Sequence, residues 1–288
     1  MTENTGFHVD KIGTWTDTLE FEVDRDRTIA YARATNDPIP VHLDGVVAPP
    51  VFAVVPPMPI MAEATLGVVP DELMMRILHG EHDFRFHRAI VPGETLLVRA
   101  KPVGIEGKES GTVVTTLLET RSKDEGDLVN EQYFVGFFRG GEFTGAVGTS
   151  SPAHTFDAAL RDQTPLAVVD TKFDDDQTFR YSEPAGDPMP IHLDADFAQA
   201  MGLPGIIMHG LCTNAMLSHV LVNEVADGDP SRLKRLAVRF SKPGTPGDVM
   251  TTSIWRTDDV DGRSLYAFES TNSAGEFLIR DGIAEFSA

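Results

Sequence analysis

The chain has 288 residues, 41% of them hydrophobic, one cysteine and a formal net charge of −20 at neutral pH. Such a chain can bury a core and make two domains. Its charge argues against a nucleic-acid partner, and its lone Cys212 excludes an internal disulfide or a thiolate metal cage. No apolar run approaches the ~20 residues needed to span a bilayer. The N-terminus lacks a basic stretch followed by an apolar one, so no secretory leader is expected. A cytoplasmic location with no membrane contact is the resulting expectation. Seven Lys stand against seventeen Arg, a bias that does not bear on chemistry.

In chain order, 22–34 reads as a helix with Asp24 near its start. The apolar segment 49–66 is interrupted by Pro56, Pro57 and Pro59 and is expected to be kinked or broken. Strands rich in Val, Thr, Leu and Phe come next at 81–89, 95–103, 111–123 and 128–139, with a turn at 124–127. Residues 140–176, rich in Gly, Ser, Thr and Asp, read as a linker. A strand is predicted at 177–181, a loop at 182–193, a short helix at 195–201 and a long helix at 211–225. Four antiparallel strands close the chain at 233–240, 249–257, 264–271 and 276–286, separated by turns at 258–262 and 272–275. Helices succeeded by runs of strands define an α+β class. The expected units are 1–139 and 177–288, joined by 140–176.

The most informative stretch is Gly186–His192, Gly-Asp-Pro-Met-Pro-Ile-His, followed by Met208–Leu211, Met-His-Gly-Leu. Pro188 and Pro190 exclude regular helix or central strand and stiffen a loop carrying an acid, Asp187, and a base, His192. The pattern occurs twice. Tyr31, Asp37, Pro38, Pro40, His42 and Asp44 recur as Tyr181, Asp187, Pro188, Pro190, His192 and Asp194 at an offset of 150. Phe84-Arg85-Phe86 with Pro92-Gly93 recurs as Val238-Arg239-Phe240 with Pro246-Gly247 at an offset of 154. Two copies of one module are therefore expected. With a gap of five residues in the first copy, His209-Gly210 falls opposite Val54-Val55, and Ser218 opposite Glu63. The first copy then keeps Asp37 and His42 without the later part of the pattern, as a relic, a packing device or a second site. Tyr31 and Tyr181 read as core, and Asp44 and Asp194 as caps of the segments after them.

These residues resemble the MaoC-like, (R)-specific enoyl-CoA hydratase family, also called hydratase 2, of hot-dog fold. The family pattern, Asp-x-Asn-Pro-aliphatic-His followed by His-Gly at the head of a central helix, is matched by Asp187, Pro190, Ile191, His192, His209 and Gly210. Met189 stands where the family has Asn. The resemblance covers nearly the whole chain and implies a double hot-dog, with one antiparallel sheet wrapping two central helices and the monomer acting as a pseudo-dimer. A homodimer of the whole chain is compatible with this but not required.

The resemblance implies reversible hydration of a trans-2-enoyl-CoA to a (3R)-3-hydroxyacyl-CoA, with no metal and no cofactor beyond the CoA thioester. Asp187 and His192 would handle the water and its proton. The Gly210 amide, unpaired at a positive helix end, would hold the thioester oxygen, a group worth ~3 kcal/mol in the transition state. Ser218, two turns on, and His209 are candidate substrate contacts, although a serine here is more often satisfied by its own helix and His209 can be a structural neighbour of Gly210. Arg239 and Lys242 either line the mouth of a CoA pocket or occupy a solvated strand end. The segment 46–61 is where a long or bulky acyl tail would lie. Acting on an acyl carrier protein is an alternative, as are a non-catalytic acyl-thioester-binding subunit and a thioesterase, which would not need His192.

Overall fold

The computed structural model describes residues 6–288, and its strands bury one face more deeply than the other, most regularly in β3. The first five residues, part of the segment in which no leader was expected, lie outside the described residues. Along β3 (Thr95–Lys108) the residues at 96, 98, 100 and 102 are buried and their neighbours are not, as a strand with one covered face requires. The other strands are β1 (Leu19–Glu22), β2 (Ile77–Phe86), β4 (Gly111–Ser122), β5 (Leu128–Arg139) and β6 (Ala146–Gly148), then β7 (Ala167–Lys172), β8 (Leu233–Phe240), β9 (Val249–Val260), β10 (Arg263–Thr271) and β11 (Phe277–Ser287). They form one eleven-stranded sheet in the order β1-β3-β4-β5-β2-β8-β11-β10-β9-β7, with β6 added beside β3.

The order reads the same from either end once β8 is equated with β2, β11 with β5, β10 with β4, β9 with β3 and β7 with β1. The modules join edge to edge through antiparallel pairing of β2 with β8, in which Asp83 stands opposite Ala237. Those two positions differ by the repeat offset of 154, so equivalent residues face each other and a pseudo-twofold axis passes between them. This is the contact of a C2 dimer made within one chain, and it bears out the continuous sheet expected of a double hot-dog.

The helices lie on one face of that sheet: α1 (Arg25–Ala34), the single turn α2 (Pro40–Leu43), α3 (Met58–Leu66), α4 (Gln177–Ala185), α5 (Ala195–Ala200) and α6 (Gly210–Ala226). Asp24 caps α1 by accepting from the Arg27 amide at 2.7 Å, and Asp194 caps α5 by accepting from the amides of Asp196 and Phe197. Asp44 has no such role, because the first module has no helix equivalent to α5; it ends α2 instead. Helices α1 and α4 pack across the axis, where the Tyr31 and Tyr181 hydroxyls meet at 3.4 Å in a fully buried contact. Helix α6 is apolar nearly all round and is buried along most of its length. The first module's segment is a 3-10 turn at Pro50–Val54 followed by α3, so the helix is broken where its prolines foretold.

Several elements differ from the sequence reading: β1 and β6 are additional strands, β2 begins at Ile77 and not at 81, and the start of the second module is rearranged. The strand expected at 177–181 is the first half of α4, and the strand that does occupy that part of the module is β7. It lies inside the interval read as linker and pairs with β9 from Ala167 to Lys172. Between β6 and β7 the chain crosses the outer face of the sheet, held by His154 donating to the Asp281 carbonyl at 2.7 Å and by Phe156 packing on Trp255.

Candidate active site

Helix α4 ends on Gly186, whose left-handed backbone (φ 73°, ψ 29°) suits a residue without a side chain and turns the chain into the Asp-Pro-Met-Pro loop. The turn is closed by the Gly186 and Asp187 amides, both donating to the Ser182 carbonyl. The Asp187 carbonyl accepts from the Ser182 hydroxyl at 2.8 Å and from His209 Nε2 at 3.1 Å. Asp187 is thus gripped by its backbone, while among the described residues its carboxylate accepts only the Met189 amide, at 3.3 Å.

His192 donates Nδ1–H to the Ile207 carbonyl at 2.8 Å. A carbonyl can only accept, so Nδ1 carries the proton and neutral His192 presents a bare Nε2. Burial holds its pKa below the usual histidine range, against the raising effects of the Ile207 carbonyl and Asp187. The ring stacks on His209 with centroids 3.8 Å apart. His209 itself is 1% exposed and pushed down to about 3 by burial and by His192, so it is a neutral support for the loop. A carboxylate oxygen of Asp187 and ring nitrogens of both histidines lie within 4.8 Å of one another. His209 is also the N-cap of α6, with no side-chain cap bond, and Gly210 is the first helical residue. The pair is therefore brought to a helix end with free amides. A Cβ on Gly210 would lie 3.2 Å from Cε1 of Phe240, so its side-chain direction faces that ring and not open space.

The first module shows what the same pattern becomes without this support. Ile207 and Val47 both donate to the residue before the motif histidine, Ile191 and Val41. Met208 and Ala48 both donate to the carbonyl of equivalent residues in the loops after β8 and β2, Gly244 and Ile90. These bonds align Pro49-Pro50, not Val54-Val55, with His209-Gly210. Fifteen residues separate His192 from Ile207 and five separate His42 from Val47, so the first copy is ten residues shorter, not five. The consequence is chemical: Pro50 has no N–H to donate at the position of Gly210. His42 turns onto its own acid, with Nδ1 2.6 Å from Asp37 Oδ2 and both side chains fully buried. His219 of α6 stands 3.3 Å from the same oxygen and 3.1 Å from the Thr35 hydroxyl. Burial pushes its pKa down to about 4. Asp37 and His42 are sealed in the core.

Other expected contacts fall elsewhere. Ser218 is fully buried and its hydroxyl donates to the Ala215 carbonyl at 2.7 Å, so it is satisfied within α6. Arg239 alternates with Val238 and Phe240 along β8 and so points to the opposite face of the sheet. There it pairs with Glu81 at 2.8 Å and Asp281 at 3.2 Å and lines a cleft of about 340 Å³ under the crossing segment. Lys242 is 62% exposed at the end of β8, 3.9 Å from Glu276. The structure brings Asp187, His192, His209 and Gly210 together and leaves these three apart. Each Asp-His-His group has the composition of a metal site, with its ligand atoms within 4.8 Å of one another; the rings of His192 and His209 are stacked at 27°, and His42 bonds directly to Asp37 at 2.6 Å. The carbonyl of Ile207 and the ring of Phe240 went unread in the sequence. The first carries no residue-type signal; the second could have been found from its place in Val-Arg-Phe, two residues past the inward Val238.

A fold built from two such modules, with a hydratase-2 loop against a helix end in only one of them, defines a double hot-dog of the MaoC-like class. Family comparison agrees: residues 157–276 match the MaoC like domain and residues 10–132 the FAS1-like dehydratase domain region. The chain is 34% identical over 219 residues to 3-hydroxyacyl-thioester dehydratase Y of Mycobacterium tuberculosis, covering 74% of this chain and 73% of that one. It is 27% identical over 225 residues to a probable enoyl-CoA hydratase 2 of Dictyostelium discoideum, covering 78% and 74%. A MaoC-like dehydratase from Phytophthora capsici superposes with a TM-score of 0.83 at 23% identity, over 97% of this chain and 98% of that one. The protein belongs to the MaoC-like hydratase and dehydratase family. Among the described residues no helix is long and apolar enough to cross a membrane.

Proposed function

We propose that the chain hydrates a trans-2-enoyl-CoA to the (3R)-3-hydroxyacyl-CoA, and catalyses the reverse dehydration, at Asp187, His192 and Gly210. The observation that carries this reading is the fixed tautomer of His192, whose Nδ1–H is committed to the Ile207 carbonyl beside a carboxylate with a free oxygen. Bare Nε2 takes a proton from water as the water oxygen bonds to C3. The C2–C3 π electrons move toward the thioester, whose oxygen gains negative charge and is met by the Gly210 amide at the head of α6. The Asp187 carboxylate receives that proton from His192 and passes it to C2 as the carbonyl re-forms, so both groups end as they began. In dehydration the same groups act in reverse. The names of the two relatives above, a hydroxyacyl-thioester dehydratase and a probable enoyl-CoA hydratase, support this substrate class.

Purified protein with crotonyl-CoA tests the proposal. Loss of the conjugated absorbance without free thiol, and a product that chiral chromatography identifies as (3R), is the expected result. Free thiol would identify a thioesterase. Binding of crotonyl-CoA with neither change would point to a non-catalytic acyl-thioester subunit, and turnover confined to acyl carrier protein thioesters would move the substrate to that carrier.

A further inference from the structure

Arg27 lies on α1 of the first module, and its Nε donates to the carbonyl of Pro184 on α4 of the second, at 2.8 Å. Pro184 is the next-to-last residue of α4; Gly186 then turns the chain into Asp187. The carbonyl end of a helix is the negative end of its dipole and holds unpaired acceptors, so a cation donating there both satisfies and anchors it. The guanidinium also rests over the Phe21 ring, 5.4 Å from its centroid. Burial lowers its pKa and Asp24, at the start of its own helix, opposes that; no acid of the loop contributes.

The pseudo-twofold supplies a control within the molecule. Gln177 is the equivalent of Arg27, and Ala34 of Pro184, each at the offset of 150. Gln177 Nε2 donates to the Ala34 carbonyl across the same axis. The brace is thus made twice, by Gln177 toward the sealed Asp37 loop, where Arg180 also donates to the Arg33 carbonyl at 3.3 Å, and by Arg27 toward the Asp187 loop. The remaining grips on the Asp187 backbone, from Ser182 and His209, come from its own module.

We propose that Arg27 is a positioning residue for Asp187, fixing the end of α4 from the other module so that the carboxylate is held at the reacting centre. This rests on the reading of Asp187 as catalytic. A displacement of the order of 1 Å in a reacting group costs ~100-fold in rate. In the full chain, Arg27→Ala is therefore expected to lower kcat ~10- to 100-fold with KM little changed. Guanidinium at millimolar concentration should restore turnover to that variant and not raise it in the wild type. Arg27→Lys, which keeps the charge but not the fork, should fall between the two and serves if Arg27→Ala does not fold. Gln177→Ala, compared at equal folded fraction, should keep kcat near wild type. A folded Arg27→Ala with wild-type kcat, a loss not rescued by guanidinium, or an equal loss in Gln177→Ala would each overturn the proposal. Asp187→Asn in the same assay separates the two readings: if it is fully active the catalytic assignment fails, whereas if it is inactive and Arg27→Ala is normal only the positioning role fails.

Discussion

The two Asp-His pairs should respond to the same substitutions in opposite ways. Asp37→Asn keeps the oxygen that accepts from the Ile39 amide at 2.9 Å but removes the charge facing His42 at 2.6 Å, in a place with no exposure. A buried hydrogen bond to a charged group is worth about 1.5–3 kcal/mol. For a chain of this size each kcal/mol moves the melting temperature by about 2–4 °C, so a fall of roughly 3–12 °C is expected. Turnover of the remaining folded protein should stay within a few-fold, because nothing in the sealed pair meets substrate. Asp187→Asn reverses the pattern. Asn can still accept the Met189 amide, and the backbone grips are untouched, so the melting temperature should move little. The variant loses the proton-delivering group, and kcat should fall at least ~100-fold, the usual scale for a positioned acid or base. His42→Gln and His192→Gln should divide the same way. Thermal melts and loss of crotonyl-CoA absorbance, on the same preparations, measure both axes. Equal losses of turnover at both pairs in folded proteins would refute the assignment of a single working module.

Gly210→Ala places a methyl 3.2 Å from Phe240 Cε1; kcat should drop while stability holds, and adding Phe240→Leu should recover part of the rate, whereas Gly210→Val should also lower the melting temperature because that direction is filled. Protonation of His192 removes the base, so kcat/KM should fall on the acid side with a midpoint below the usual ~6.5 of histidine; a midpoint above 7 would contradict the buried neutral ring. His219 titrates at about 4 in the folded chain and ~6.5 unfolded. Its contribution is complete above pH ~6.5 and disappears as pH falls toward 4, so the urea midpoint should decline through that window, less steeply in His219→Gln. Arg239→Gln, on the far face of the sheet, should leave KM for crotonyl-CoA unchanged while lowering stability, and a raised KM would place CoA on that face.

The duplicated motif made the architecture legible before any coordinates, because a chain that repeats Asp-Pro-x-Pro-x-His at an offset of 150 must fold the same unit twice. The same logic, applied more strictly, would have removed the main error of element assignment. Arg27–Tyr31 reads as helix and its equivalent Gln177–Tyr181 as strand, yet equivalent positions in two copies share a fold. Strand β7 escaped because Ala167–Lys172 alternates in burial but comes after a segment of Gly, Ser and Pro that looks like linker. Within the site, side chains were legible and backbone was not. Asp187, His192 and Gly210 announce themselves by type, whereas the Ile207 carbonyl that sets the tautomer does not depend on isoleucine. The alignment of Val54 with His209 failed for a related reason: identities do not say where a gap falls, and hydrogen bonds from Ala48 and Met208 do.

The seam at Asp83 and Ala237 sets a condition on how the two halves could come to differ. In a dimer of identical subunits every residue near the axis occurs twice, and a proline at the head of the central helix would silence both sites at once. Joining the halves in one chain lets Pro50 and Gly210 coexist. It also lets the braces across the axis become arginine on one side and glutamine on the other, and lets one acid-base pair sink into the interior while the other stays open. The linker thus does more than hold two modules close: it turns a symmetric assembly into one whose halves can be selected separately.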